Sequence, residues 1–427
     1  MNCKQNQRIL QITESTLIVG ADIAKHTHVA RAQDLRGIEL GKPVKFSNTS
    51  AGLQRLASWM ESLMESYKKH QVLFGIEPTG HYWMPLAQFL RRRGIKVVLV
   101  NPHHVKKSKE LDDNSPTKND VKDARVIAQL LKDDRYSEPQ IPEGIYAELR
   151  VGMNLRDRLN QDLLRTKGRI HNWLDRFFPE FLTVFKDWEG KAALLTLQNF
   201  PFPADIVTLG ADTIVQVWKQ DIKRAVGLKR ANQLVEAAAQ SIGLTYGTKM
   251  AHQELEALLE QYALLTQRLE KLMDQIQDVL QQIPSARFLM TFPGVGLVTV
   301  AGFLAEVGDL SKYEHPRQIQ KLAGYNLKEN SSGMHKGRTQ ITKRGRPRLR
   351  SLLFKCVMPL VAKNQEFKVL HQYFTTRPVN PLSKKQSIIA LCCKLIRIFF
   401  ALGRKQLQYE SNQVTKGLLS LSTQMIA

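Results

Sequence analysis

The stretch TLIVGAD, Thr16 to Asp22, decides how the N-terminal part of the chain is read. Its apolar run is too short for a helix and ends on a carboxylate, which predicts a buried strand that delivers Asp22 at its C-terminal end. VLFGIE, Val72 to Glu77, repeats the pattern and delivers Glu77 in the same way. In an open α/β sheet the C-terminal ends of the strands are where a site forms, so two acids presented there are placed to converge.

Working outward, His28–Gln33 and a short piece at Val44–Phe46 read as further strands. Leu53, Leu56, Met60 and Leu63 give Ala51–Tyr67 helical spacing, Tyr82–Arg92 is a second helix, and IKVVLV at Ile95–Val100 is a fifth strand. Three strands, a helix, then alternating strands and helices is the order of the ribonuclease-H-like fold, and another α/β layer fold gives the same coarse pattern. The expected fold is therefore an α/β domain over 16–140, behind an N-terminal tail at 1–15, followed by an all-α remainder.

From Ile145 helical patterns run to Ile283, with breaks at Phe178–Pro179, Asn199–Ala204 and Gly243–Gly247. In this middle domain, 145–283, Leu255, Leu258, Tyr262, Leu265, Leu269, Leu272, Ile276, Val279 and Ile283 follow a coiled-coil register. Such a stripe either joins copies of the chain into a homo-oligomer or packs on another helix of the same chain, and the register does not choose between them. A third domain, 285–405, is rich in short helices and glycine turns and closes with the apolar and basic helix Ile388–Leu402. A polar tail, 406–427, follows.

The chain carries 62 Lys+Arg against 39 Asp+Glu, a formal charge of +23, which points to a polyanionic partner, nucleic acid before any other. No apolar run reaches the ~20 residues of a membrane span, and MNCKQNQRIL lacks a signal-peptide core, so a prokaryotic cytoplasmic location is expected. Cys3, Cys356, Cys392 and Cys393 form no CxxC pair and read as reduced, mostly buried thiols.

Asp120 and Asp123, in KNDVKDARVIAQLL, are spaced to share one helix face. With Asp22 and Glu77 they form a candidate catalytic and metal-binding tetrad. Each acid alone is ordinarily a cap or a solvated group; the combination carries the reading. Clustered carboxylates repel unless cations lie between them, and they suit magnesium, or manganese in its place, at a phosphoryl-transfer site. His26, His28, His103 and His104 are assigned no metal role.

TFPGVGLVTVAGFLAEVG, 291–308, has the look of a helix-hairpin-helix element whose Gly294 and Gly296 amides face a phosphate, although PGxG is also an ordinary tight turn. KGRTQITKRGRPRLR places Lys336, Arg338, Lys343, Arg344, Arg346, Arg348 and Arg350 together with no acid, a candidate nucleic-acid contact. Asn330-Ser331-Ser332-Gly333 is by residue type only a turn.

GADIAK, IEPTGHY, KNDVKDAR, FPGVG and AG-x7-SG-x3-G-x4-TKRG, in this order, resemble the DEDD-type transposases of insertion sequences, a family that includes Piv-like DNA invertases and bridge-RNA-guided recombinases. The resemblance covers about 16–140 and 285–365. It places the tetrad in a RuvC-like domain and the catalytic serine at Ser332, with Ser331 as its neighbour. Where the family often has proline in GL-x-P, this chain has Gly324-Tyr325-Asn326-Leu327. The resemblance implies serine attack on a DNA phosphate to give a phosphoserine link, assisted by metals on the tetrad. It further implies double-stranded DNA as partner and, as in some members of the family, a structured guide RNA; serine and tetrad lie over 200 residues apart in sequence and are brought together by folding or between subunits. A covalent link conserves phosphodiester energy, so no nucleotide cofactor is expected, in line with the absence of a GxxxxGK[ST] loop. Two other readings fit the residues: a RuvC-like junction endonuclease that uses water, and an architectural nucleic-acid binder without catalysis.

Overall fold

The structure is a computed structural model that describes residues 9–78, 80–112, 120–139, 141–223, 227–328, 331–332, 335–337 and 339–411. The chain divides after Ile141 into two compact units.

The first unit is built on a six-stranded sheet in the order β3-β2-β1-β4-β5-β6. Its strands are β1 (Thr16–Asp22), β2 (Thr27–Gln33), β3 (Val44–Ser47), β4 (Gln71–Ile76), β5 (Lys96–Val100) and β6 (Tyr136–Ser137). β1 runs antiparallel to β2 and parallel to β4, β4 runs parallel to β5, and β6 returns antiparallel along β5. Helices α1 (Ser50–Ser66), α2 (Trp83–Arg92), α3 (Pro102–Asp112) and α4 (Asp120–Lys132) accompany it. Leu53, Leu56, Met60 and Leu63 are buried on α1 as their spacing requires, in one core with Leu17, Val19 and Phe74 of the sheet. A separate core brings Ile18, Leu73 and Val98 against Val126, Ile127, Leu130 and Leu131 of α4. β1 and β4 are thus covered on both faces, which is why their sequences are continuously apolar rather than alternating.

The strands and helices expected from sequence in this unit are present within one or two residues. Two elements go beyond those read from the sequence: the short β6, and α3, which starts at NPHH. Asn101 caps that helix, its side-chain Oδ1 accepting from the His103 amide at 2.9 Å, and Pro102 occupies the first turn.

In the second unit α5 (Ile145–Phe177) is followed by α6 (Phe181–Val184), α7 (Lys191–Asn199), α8 (Pro203–Asp221), α9 (Leu228–Ala239), α10 (Thr248–Gln281), α11 (Pro284–Leu289), α12 (Leu297–Val307) and α13 (Pro316–Ala323). Two-residue strands β7 (Leu327–Lys328), β8 (Ser331–Ser332), β9 (His335–Lys336) and β10 (Gln340–Ile341) precede α14 (Pro347–Lys363), α15 (Gln365–Thr376) and α16 (Lys384–Lys405). The three breaks read from sequence fall between α5 and α6, α7 and α8, and α9 and α10.

α5 and α10 lie antiparallel. Trp173 near the end of α5 donates its indole N–H to the Ala251 carbonyl at 2.8 Å, while a Cβ on Gly152 would stand 3.3 Å from Ile276 at the other end. The heptad stripe is buried by this pairing within the chain: Leu255, Leu258, Leu265, Leu272, Ile276 and Ile283 are core residues, with Tyr262, Leu269 and Val279 half-buried. Of the two readings left open by the register, the stripe is occupied by the intramolecular one. The pair also spans two cores. Ile170, Trp173, Leu255 and Leu258 join Trp188 and Trp218 in one, while Leu149, Met153, Leu272 and Ile276 join Phe292, Phe303, Leu353 and Phe399 in the other. Residues 142–427 therefore share a continuous unit across the middle and C-terminal segments separated above.

α16 is, by length and composition, apolar enough to cross a membrane, contrary to the expected absence of such a run. It packs against α11, α13, α14 and α15, with Leu391, Leu395, Ile396 and Phe399 in the core. Cys356 and Cys392 are free and buried as expected, Cys393 is half-buried, and burial pushes the Cys356 and Cys393 thiols up to about 11 and that of Cys392 to about 12. Cys3 lies outside the described residues.

A Cβ built on Gly20 would lie 2.3 Å from the Ala124 carbonyl oxygen and 2.4 Å from the Ala128 nitrogen, both backbone atoms of α4. Gly20→Ala is expected to destabilise the first unit by about 3 kcal/mol, read as a lowered denaturant midpoint with an unchanged slope.

Candidate active site

Gly20 of β1 and Gly75 of β4 are direct partners in the parallel ladder. Both lie beneath α4, for a side chain on Gly75 would collide with Leu131 as one on Gly20 would with Ala124 and Ala128. Side chains alternate along a strand, so Asp22 and Glu77, two residues beyond these glycines, emerge on the face that α4 covers. Ala21 pairs with Ile76, so the two acids follow side by side at the strand ends. α4 approaches with its N-terminal turn, which carries Asp120 and Asp123. Two strands and one helix thereby bring the four predicted acids to one end of the sheet.

Burial and crowding both act on Asp22 and Glu77. Burial is the largest cause raising the Asp22 carboxyl above the usual range, and Asp123 and Asp120 raise it further. Glu77 is raised first by burial, then by Asp22 and Asp123. Asp22 and Glu77 are half-buried, Asp123 is buried and Asp120 is exposed. Lys109 on α3, overlooked in the sequence, places its ammonium on Asp123 Oδ1 and opposes the rise at both Asp22 and Glu77. The signal for it was the Asn101-Pro102 helix start, which sets Lys109 on a helix rather than in a loop.

Among the described residues no three His, Cys, Asp or Glu side chains stand arranged around a common ligation point. The donor chemistry nonetheless fits a hard divalent cation: every candidate is a carboxylate, and the excess negative charge is balanced by a lysine where a metal would do the same. His26 and His103 are exposed, and His28 is buried against Phe46 with burial lowering its pKa, its Nδ1 accepting from the Ala24 amide at 3.3 Å. A cavity of about 700 Å³ lies elsewhere, at the N-terminal ends of β1, β4 and β5, lined by Thr16, Gln71 and Lys96, away from the acids.

In the second unit Ser331 and Ser332 form β8, with Ser332 opposite His335 and Ser331 opposite Lys336 in β9. The basic stretch divides by role. Lys343, Arg344 and Arg348 are exposed. Arg346 instead turns inward, donating to the Glu306 carbonyl and standing 3.7 Å from its buried carboxylate, which Arg150 also approaches at 3.8 Å. Arg350 donates to the Ala323 carbonyl at 3.0 Å and the Lys343 carbonyl at 3.2 Å. Arg346 thus ties the segment to α12, and Arg350 ties it to the end of α13. Arg338 lies outside the described residues. Gly294 and Gly296 are exposed in the turn between α11 and α12; Gly294 has φ +86° and would meet Leu360 at 2.7 Å if it bore a Cβ. That contact accounts for Gly294 by packing.

Two family models match the chain. A family model described as a transposase matches residues 19–179, so the α/β unit and the acids it gathers belong to a transposase, a DNA-processing enzyme. A second model, the transposase IS116/IS110/IS902 family, matches residues 286–372, and the chain belongs to the IS110/IS116 family of transposases. A 44.8 kDa protein of insertion element IS116 from Streptomyces clavuligerus is 25% identical over 90% of this chain and 94% of the relative. The pilin gene-inverting protein of Moraxella bovis is 22% identical over 93% of the chain and 98% of the relative. A 43.6 kDa protein of insertion element IS110 from Streptomyces coelicolor is 23% identical over 69% and 72%.

Two outcomes follow from these contacts. Asp22 and Glu77 have folded pKa values above their ordinary values of 3.8 and 4.5, so their contribution to stability is fully present below those values and is lost as pH rises through the elevated ones. Asp22→Asn should therefore raise the melting temperature in EDTA at pH 8, and the gain should vanish on acidification below about pH 4. Arg346→Ala should cost roughly 2 kcal/mol by leaving Glu306 poorly compensated, whereas Arg348→Ala should leave the denaturant midpoint in place.

Proposed function

We propose that the chain is the recombinase of its insertion element, which excises and inserts DNA through a covalent phosphoserine intermediate. The convergence of Asp22, Glu77, Asp120 and Asp123 at one end of the sheet carries this reading. Ser332 Oγ attacks a phosphodiester; the Oγ–P bond forms as a P–O bond to the sugar breaks, the serine proton leaves to a base, and the departing oxygen becomes a hydroxyl. Rejoining runs the same exchange in reverse with a different DNA end, so no nucleotide cofactor is consumed. Magnesium, or manganese in its place, held by the four carboxylates would stabilise charge on the attacked phosphate.

The first unit's own residues orient and charge-balance the phosphate's surroundings, and the exposed Lys343, Arg344 and Arg348 supply the sequence-independent grip on a double-stranded DNA backbone. Lys336 and Arg338, with the exposed amides of Gly294 and Gly296, extend that set. The +23 charge also supports a structured guide RNA as a second polyanionic partner that selects the DNA site. The reading includes assembly of copies of the chain into a dimer or tetramer. The pilin gene-inverting relative, named for rearranging DNA, favours recombination over hydrolysis.

The test is an in-cell assay for the circular junction left by excision of the element. Ser332→Ala and Asp120→Ala should each reduce the junction by at least about a thousandfold relative to the parent. Junction surviving in Ser332→Ala would transfer the chemistry to a water-using nuclease, and junction surviving in Asp120→Ala would remove the acids from it.

A further inference from the structure

Lys109 stands where a cation is needed. α4 cannot lie on β1 and β4 without bringing its acidic first turn toward Asp22 and Glu77, so the fold places the four acids at one end of the sheet whether or not a metal is present. The ammonium of Lys109 rests on Asp123, the buried member of the set, and its charge is felt at both Asp22 and Glu77. Each Asp123 oxygen has lone pairs to spare, but an ammonium resting on that carboxylate repels a divalent cation drawn to the same negative charge, so the two compete for it. Lys109 is also able to leave: its side chain is 30% exposed, against 8% for Asp123, and a four-carbon stem can swing to water without moving α3.

We propose that Lys109 is an exchangeable counter-ion of the acidic cluster, holding Asp123 while no divalent cation is bound and yielding that carboxylate when one binds. The proposal rests on the reading of the tetrad as a metal site. Its consequence is that metal binding is an exchange of one cation for another, which keeps the acids assembled in the metal-free protein and weakens apparent metal affinity.

The test measures Mn²⁺ binding by the paramagnetic resonance of free Mn²⁺, and thermal unfolding in EDTA, on the full chain. Lys109→Met should bind Mn²⁺ roughly tenfold more tightly than the parent, because the competitor is gone. It should also unfold at lower temperature in EDTA, with saturating Mn²⁺ closing that gap. Lys107→Met, which removes an exposed charge from the same helix, should stay within about twofold of the parent and reports the general electrostatic effect. Lys109→Gln is the second variant should Lys109→Met fail to fold. Affinity in Lys109→Met and Lys109→Gln equal to Lys107→Met, or weaker than the parent, overturns the exchange while leaving the metal site in place. Mn²⁺ binding that is absent, or that is unaltered by Asp123→Asn, overturns the metal site and the exchange with it.

Discussion

The contact on which the first unit depends is the seating of α4 on a pair of adjacent glycines. Gly20 and Gly75 are register partners on parallel strands, and the space their side chains would fill is taken by the backbone of α4 at Gly20 and by the Leu131 side chain at Gly75. That approach sets the height of the helix above the sheet, and its N-terminal turn then falls beside the strand ends where Asp22 and Glu77 emerge. Hydrophobic burial of Val126, Ile127, Leu130 and Leu131 supplies the attraction; the two missing Cβ atoms let it draw the layers this close. The cost is electrostatic, since the same packing that stabilises the sheet crowds carboxylates whose charges oppose one another.

Much of this was legible before any coordinates. The apolar runs ending on Asp22 and Glu77, the three-residue spacing of Asp120 and Asp123, and the breaks at Phe178, Asn199 and Gly243 all mark real boundaries, because chain breaks and strand-end acids are local properties. What escaped reading was non-local. GAD and GIE each place a glycine two residues before an acid, but a glycine in a strand does not announce which helix will lie on it. Lys109 escaped because the helix that carries it, α3, has too little apolar periodicity to announce itself. Arg346 and Arg350 looked equivalent to Arg344 and Arg348 in a run of cations; only the position of Glu306 and of the α13 carbonyls separates those that face inward from those that face water.

The heptad pattern of α10 illustrates a different limit. Leucines at coiled-coil spacing specify a narrow apolar stripe but not whose stripe will cover it, and here the second long helix of the same chain does so. The basic stretch teaches the converse lesson, since an uninterrupted series of positive residues is divided between holding a turn and meeting solvent.

The α5–α10 pair has a consequence in its dimensions. Leu255 lies in one core and Ile276 in the other, and along an α-helix that separation is roughly 30 Å. Two long helices braced side by side resist bending far better than a linker, so the C-terminal helices are held at a set distance from the aromatic bundle at the far end. That spacing is set by the length of the helix pair and not by the packing inside either core.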